Sequence, residues 1–169
     1  MEGQNNVINT RIESPDDYAE VRKLHLIAFP GPGEADLVDR LRADGDAVIS
    51  LVATNDDVLV GHVMFSRMSA SFRALGLAPV AVLPDWRRRG IAARLIEDGI
   101  KQAQKDNWAG IFVLGEPDYY QRFGFSAAKA EKFESPYAGP YLMALSLQGN
   151  DLPCCSGRID YASAFSALG

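Results

Sequence analysis

Three consecutive arginines and a glycine, Arg87-Arg88-Arg89-Gly90, stand between an apolar run and an amphipathic stretch. The apolar run Val80-Ala81-Val82-Leu83 stops at Pro84, after which Ile91, Ala92, Leu95, Ile96, Ile100 and Ala103 recur at helical spacing. A helix beginning there leaves the N–H groups of its first turn without partners and carries partial positive charge at that end, so it can receive phosphate. Gly90 lets a ligand approach the backbone with no Cβ in the way. Arginines beside a helix N-terminus oppose the dipole, by roughly a few tenths of a kcal/mol each, unless an anion meets them. Taken alone, the triplet reads equally as a solvated charged patch on a loop. The order of strand, tight turn and helix, with glycine and then a small residue two places on, is what a pyrophosphate needs. Neither GxGxxG nor GxxxxGK[ST] occurs.

The elements that must hold this turn are legible on both sides of it. Val7 to Ile12 predicts a first strand, and Ser14-Pro15-Asp16-Asp17 has the residue types of a helix start. Tyr18, Val21, Leu24, His25 and Ala28 trace a helical face up to the break at Phe29-Pro30-Gly31-Pro32-Gly33. A short helix follows, with Leu37, Val38 and Leu41 inward and Gly45 near its stop. The runs Val48 to Ala53 and Val58 to Phe65 flank Thr54-Asn55-Asp56-Asp57 and predict a hairpin. Leu75 to Leu83 is apolar enough for a strand buried on both faces, and Ile111 to Leu114 predicts a short strand pairing with it through the intervening helix. Further extended segments are expected near Phe125, from Tyr141 to Leu147, and around Ile159 to Tyr161. There is no repeat, linker or low-complexity tract, so residues 1–169 read as a single domain.

Composition narrows the function classes. The chain of 169 residues is 47% hydrophobic and 23% charged, with no apolar run of spanning length, so no membrane partner is expected. The N-terminus is polar, without the pattern of a secretory leader, and the expected location is the cytoplasm. A net charge of -5 and a pI near 5.0 argue against nucleic acid as a partner. Cys154 and Cys155 are adjacent, a poor geometry for a disulfide, and with no His or Cys nearby they make a poor zinc site; no metal is expected. His25 and His62 lie within a predicted helix and strand and read as structural.

Arg87 to Ala92 fits the phosphate signature of the GCN5-related N-acetyltransferase family: Gln or Arg, two residues, Gly, one residue, then Gly or Ala. Tyr120-Gln121-Arg122-Phe123-Gly124-Phe125 is similar to that family's tyrosine-to-Gly-Phe segment, at the expected separation. The resemblance runs from about Val7 to Leu147. Glu34-Ala35-Asp36-Leu37-Val38, Gly61-His62-Val63-Met64-Phe65-Ser66 and Pro117-Asp118-Tyr119-Tyr120 resemble a bacterial subgroup of predicted acetyltransferases.

The resemblance implies an α/β (α+β) fold with a mixed, mostly antiparallel central sheet, a splayed parallel pair and flanking helices. It implies acetyl-CoA as acyl donor, with its phosphates on Arg87, Arg88, Arg89, Gly90, Ile91 and Ala92. The pantetheine arm would use backbone groups of Val80, Ala81 and Val82, one N–H of which would face the thioester oxygen. Tyr120 falls where the family protonates the departing thiolate, with Tyr119 as its neighbour and rival. Glu34, beside the acceptor loop, is the candidate base, or else a solvated acid at a helix start. The expected reaction is direct acetyl transfer to a primary amine of a small molecule, peptide or protein; a homodimer is compatible. The alternative is a non-catalytic acyl-CoA-binding module. Two features depart from the pattern: Pro117 leaves little room for a full helix, and an asparagine often found there is absent.

Overall fold

The first expected strand forms as β1 (Asn9–Ile12) and pairs antiparallel with β2 (Ala47–Asn55) in a computed structural model that describes residues 7–168. Between them, a 3-10 turn at Pro15–Asp17 leads into α1 (Tyr18–Ala28), and α2 (Gly33–Ala43) follows the glycine-proline break. Ser14 and Asp17 form the reciprocal capping box that their types predict. Gly45, at φ +77°, ends α2 in the left-handed conformation that glycine accepts without strain. β2 turns into β3 (Val58–Arg67) through Asp56 and Asp57, both at positive φ, as a two-residue hairpin matched to strand twist requires.

β3 pairs with β4 (Ala74–Val82), and β4 is joined through α3 (Ile91–Lys105) to the parallel strand β5 (Gly110–Leu114). After β5 come the short α4 (Pro117–Tyr120), α5 (Ala127–Ala130), β6 (Phe133–Glu134), β7 (Leu142–Ser146) and β8 (Gly157–Arg158). The main sheet has the order β1-β2-β3-β4-β5-β7, antiparallel except at β4–β5. This is the mixed, mostly antiparallel sheet with flanking helices that the resemblance implied. No helix among the described residues is long and apolar enough to cross a membrane.

Side-chain alternation along β3 separates two cores. Val63 and Phe65 face α3 and pack with Ile91, Leu95 and Ile96, whereas Met64 faces α1 and α2 and packs with Val21, Leu37, Val38 and Leu41. Gly99 is the contact point on α3: a Cβ there would lie 2.1 Å from the Phe65 ring. Tyr18, expected on the inner face of α1, is instead exposed, with the Arg42 guanidinium 3.9 Å from its ring centre.

Two expectations are corrected toward the C-terminus. No strand forms near Phe125; Gly124, at φ +96°, turns the chain, and only Ser126 makes a bridge, to Ala144, before α5 begins. Ile159 to Tyr161 adds no edge strand to the main sheet. Gly157–Arg158 pairs with Phe133–Glu134 in a separate two-stranded sheet, and Asp160 bridges Ser69. The tail then ends in a 3-10 helix, Ser163–Leu168, whose Ala164 and Phe165 close the core beneath α2.

A buried polar chain ties α1 and α2 to the sheet. His25 Nε2 lies 2.8 Å from His62 Nδ1, and His62 Nε2 lies 2.8 Å from Ser50 Oγ. Ser50 donates to Glu13 Oε1 at 2.9 Å, and Arg42 clasps the same carboxylate through Nε and a terminal nitrogen. Both histidines are fully buried. Burial, reinforced by Arg42 and partly opposed by Asp39, holds the His25 pKa down at about 4. Burial, then His25 and Arg42, keeps His62 well below the ordinary histidine range.

Two tests follow. Gly99→Ala forces the Phe65 ring to move and should cost about 1–3 kcal/mol in urea denaturation, as overpacking does. Because both histidines have depressed pKa values in the folded state, the unfolded chain binds protons that the folded chain refuses. Their contribution is therefore complete above about pH 6.5 and is lost as pH falls toward 4, on the order of 3 kcal/mol for a shift of the size seen at His25. The thermal midpoint of His25→Gln should accordingly fall less steeply between pH 7 and 5 than that of the wild type; equal slopes would refute the assignment.

Candidate active site

β4 is flanked on both edges only at its start. Ala74, Leu75 and Gly76 pair with Gly110, Ile111 and Phe112, and there the pairing with β5 ends, although β4 continues to Val82 and β5 to Leu114. Beyond Gly76 the register with β3 slips: Phe65 opposes Leu77 and Val63 opposes Val80, so Ala78 and Pro79 together face Met64. Such a bulge bends the strand that carries it, and Pro79 has no N–H for a ladder bond. The parallel pair therefore splays.

From Val80 onward β4 is regular again. Leu83 N donates to Val60 O, and alternation then directs the backbone groups of Ala81 toward β3 and those of Val80 and Val82 toward the opened edge. Of the three backbone candidates, Val80 and Val82 thus face the gap and Ala81 does not. The Val82 carbonyl already accepts from Arg87 Nε at 3.2 Å.

The turn after β4 folds as a 3-10 segment, Pro84–Trp86, and then passes through Arg88 at φ +64° and Gly90 at φ +77° into α3. The first intrahelical bond is Arg94 N to Gly90 O at 3.0 Å, so the N–H groups of Ile91, Ala92 and Ala93 have no acceptor within the helix. Gly90 is favoured by its left-handed φ, and the space before it is open, since an added Cβ would meet nothing within 4 Å.

The arginines divide their work. Arg87 is a brace, with a terminal nitrogen 3.3 Å from Ala28 O as well as Nε on Val82 O, linking the end of α1 to the end of β4. Arg89 lies over the Trp86 ring at 4.7 Å, and Arg88 is exposed. Val82, Trp86, Gly90, Ile91, Tyr119 and Arg122 line a cleft of about 210 Å³ here. A larger hollow, about 440 Å³, lies beside Arg67 to Ala74 and Trp108. It sits at the opposite end of β4 from the turn and holds none of the groups considered above.

The two tyrosines face different ways. Tyr119 lines the cleft, with the Arg122 guanidinium 4.7 Å from its ring centre. Tyr120 packs edge-on to Tyr119 and Phe125 and lies so close over Gly115 that a Cβ there would stand 2.5 Å from its ring. Gly115 follows β5, so Tyr120 sits at the splayed side of the sheet. Burial, with Tyr119 adding to it, pushes the Tyr120 pKa up to about 12, and the phenol stays protonated at neutral pH. Burial raises Tyr119 as well. The helix carrying them has only four residues, as Pro117 implied.

Glu34 is half-buried in the first turn of α2, behind the glycine-proline loop, and does not line the cleft. Cys154 and Cys155 are free thiols. Among the described residues, no cluster of His, Cys, Asp or Glu is placed to hold a metal ion. The structure brings together two groups that sequence reasoning kept apart. One is the His25–His62 pair, drawn from a helix and a strand that show only one isolated histidine each. The other is Tyr161, whose ring covers Gly76 where the strands part, and whose buried hydroxyl has no partner. Its only signal in the sequence was its place in an otherwise unreadable tail.

Comparison with known proteins agrees with this geometry. Residues 18–125, more than half of the chain, match the family model described as the acetyltransferase (GNAT) family. An N-acetyltransferase of Escherichia coli K12, YhbS, is 36% identical over 122 residues, 70% of this chain and 73% of the relative. A second from the same organism, YjhQ, is 34% identical over 139 residues, 76% of each. A crystal structure of YhbS in complex with CoA superposes with a TM-score of 0.91, at 28% identity, over 100% of this chain and 97% of the other. A GNAT acetyltransferase of Brucella melitensis in complex with acetyl-CoA gives a TM-score of 0.80, at 33% identity, over 95% and 99% of the two chains. With the matching family model and the two curated relatives, this chain belongs to the GNAT acetyltransferase family.

Proposed function

We propose that this protein transfers the acetyl group of acetyl-CoA directly to a primary amine of a small molecule or peptide. The observation that carries the reading is continuity: the unpaired N-terminus of α3 opens onto the unpaired edge of β4, so one ligand can span both. The first turn of α3 suits a pyrophosphate, through the N–H groups of Ile91, Ala92 and Ala93 and the exposed charge of Arg88. The Val80 and Val82 backbone suits an extended, amide-bearing arm lying as a substitute strand. Crystal complexes of the two structural relatives with CoA and acetyl-CoA support the same choice of donor.

In this reading the acceptor nitrogen attacks the thioester carbonyl, and an N–H on the open edge of β4, that of Val80, stabilises the developing oxyanion. Tyr120, protonated and half-buried beside the splay, gives its proton to the departing thiolate. Two groups compete for the amine's proton: Glu34 at the acceptor-side loop and the buried His25, which are separated below. The rival reading, a binding module without turnover, has no use for a proton donor at Tyr120.

Calorimetry on purified protein should show acetyl-CoA binding, and Gly90→Asp should abolish it, since a carboxylate would occupy the anion's approach. Undiminished affinity in that variant removes the reading. Arg87→Ala should weaken binding less; its role as a brace predicts that the loss comes with a lower melting temperature. A screen of primary amines with acetyl-CoA, read by free thiol release, separates enzyme from module. With an acceptor in hand, Tyr120→Phe should lower kcat by about 10² to 10⁴ while acetyl-CoA affinity stays within a few-fold. A larger loss in Tyr119→Phe would instead transfer the role to the phenol that lines the cleft.

A further inference from the structure

The buried chain on the α1 side of the sheet has a direction, fixed by its donors. Arg42 can only donate, so the Glu13 carboxylate accepts from it and from the Ser50 hydroxyl. A serine has one proton to give. Ser50 gives it to Glu13 and must therefore accept from His62 Nε2–H across the 2.8 Å contact. A neutral imidazole carries one N–H, which leaves His62 Nδ1 as an acceptor and makes His25 Nε2 the donor to it, at 2.8 Å. The consequence falls on the last atom. His25 Nδ1 is left with a bare lone pair, and it is buried with no hydrogen-bond partner. A buried, unpaired acceptor costs free energy and invites a ligand.

Its location links it to the site. His62 stands directly opposite Ala81, inside the Val80 to Val82 stretch, and its side chain is on the α1 face. His25 is one turn before Ala28, whose carbonyl holds Arg87 of the phosphate turn. The Phe29 ring stacks on the His25 ring at 5.8 Å and opens the glycine-proline loop on the acceptor side. We infer that His25 Nδ1 is the proton acceptor of the acetyl transfer, reached when the acceptor displaces Phe29, and that His62, Ser50, Glu13 and Arg42 are positioning residues that hold its tautomer. This logic parallels other sites in which a carboxylate orders a histidine through its second nitrogen. The inference rests on the function proposed above and replaces Glu34 as the base.

The charged and titratable groups around His25 are His62 from β3, Asp39 and Arg42 from α2, and Glu13 from the segment after β1. With its pKa near 4, the ring stays neutral in the physiological range, but it is too weak a base to strip an ammonium. The amine must arrive uncharged. Nitrogen bonding to the thioester carbon makes its N–H acidic, and that proton passes to His25 Nδ1 as the C–S bond breaks and Tyr120 protonates the sulfur. The imidazolium, stabilised by its bond to His62, then releases its proton to water, and the Tyr120 phenolate takes one back from water, as the product leaves.

His25→Gln is the discriminating variant, because its amide keeps a donor for His62 while deleting the basic lone pair. With the amine found in the screen, we expect kcat to fall by about 10²-fold, with acetyl-CoA affinity within about twofold by calorimetry and a fold intact by circular dichroism. Wild-type kcat should stay flat down to about pH 5, and kcat/KM should rise with the fraction of free amine. Independently of turnover, ¹⁵N-histidine NMR of the wild type should show both rings as Nε2–H tautomers, and Glu13→Gln should disturb them. A proton on His25 Nδ1 in the free protein, or His25→Gln at full rate beside a slow Glu34→Gln, overturns the inference and leaves the acetyltransferase reading standing. A wild type that binds acetyl-CoA and acetylates no amine removes both.

Discussion

β4 has a neighbour on each side for its first turn of pleat and on one side thereafter, and the site depends on that asymmetry. A strand abandoned by its neighbour leaves N–H and C=O groups in a protected gap, where they need partners. The bulge at Ala78-Pro79 produces the abandonment, since two residues on one strand against one on the other bend β4 away, and proline withholds a donor. Alternation then decides which residues are open: Val80 and Val82 present their backbone to the gap, while Ala81 is spent on His62. The helix that follows β4 offers its unpaired N–H groups at the end of the same line, and in the function proposed above an extended segment of the ligand takes the place of the missing strand.

The electrostatics of that end are distributed among the arginines rather than summed. Arg87 is committed to two backbone carbonyls and Arg89 to the Trp86 face, leaving Arg88 exposed at the turn. The brace from Arg87 to Ala28 ties the turn before α3 to the end of α1, so that turn and the start of the glycine-proline loop are held by a shared side chain. In the function proposed above, the backbone N–H groups of the first turn of α3, already fixed by the helix, take the anion in place of a triplet of flexible side chains.

The other face of the sheet pays for order with buried polarity. Glu13, Ser50, His62 and His25 lie in an apolar core, where each unpaired group is costly, and all but the final nitrogen are satisfied. Arg42 neutralises the one formal charge at the far end of the chain. Such a network fixes the register of α1 and α2 against the strands, because no slipped packing would satisfy it. Tyr161 performs a similar closure from the tail, roofing Gly76 where the parallel pairing ends.

Hydrophobic period and turn chemistry determined most of the frame from the sequence. Alternation gave the β2–β3 hairpin, with Asp56 and Asp57 accepting positive φ; the i, i+4 stripe gave α3; and Gly90 before Ile91 marked the turn into that helix. These are local signals, decided within a dozen residues. The short pieces after Phe123 escaped, because two-residue pairings and single-turn helices have no period to read, and their partners lie far along the chain. Which arginine braces and which is exposed, which tyrosine lines the cleft, and that His25 meets His62 depend on contacts between residues 37 or more apart for the histidines and 59 apart for Arg87 and Ala28. The sequence determined that a glycine-containing turn into a helix would follow a buried strand; only the packing of α1 across the sheet decided which buried groups stand beside it, since side chains far apart in the chain share a hydrogen bond only when the fold excludes water from between them.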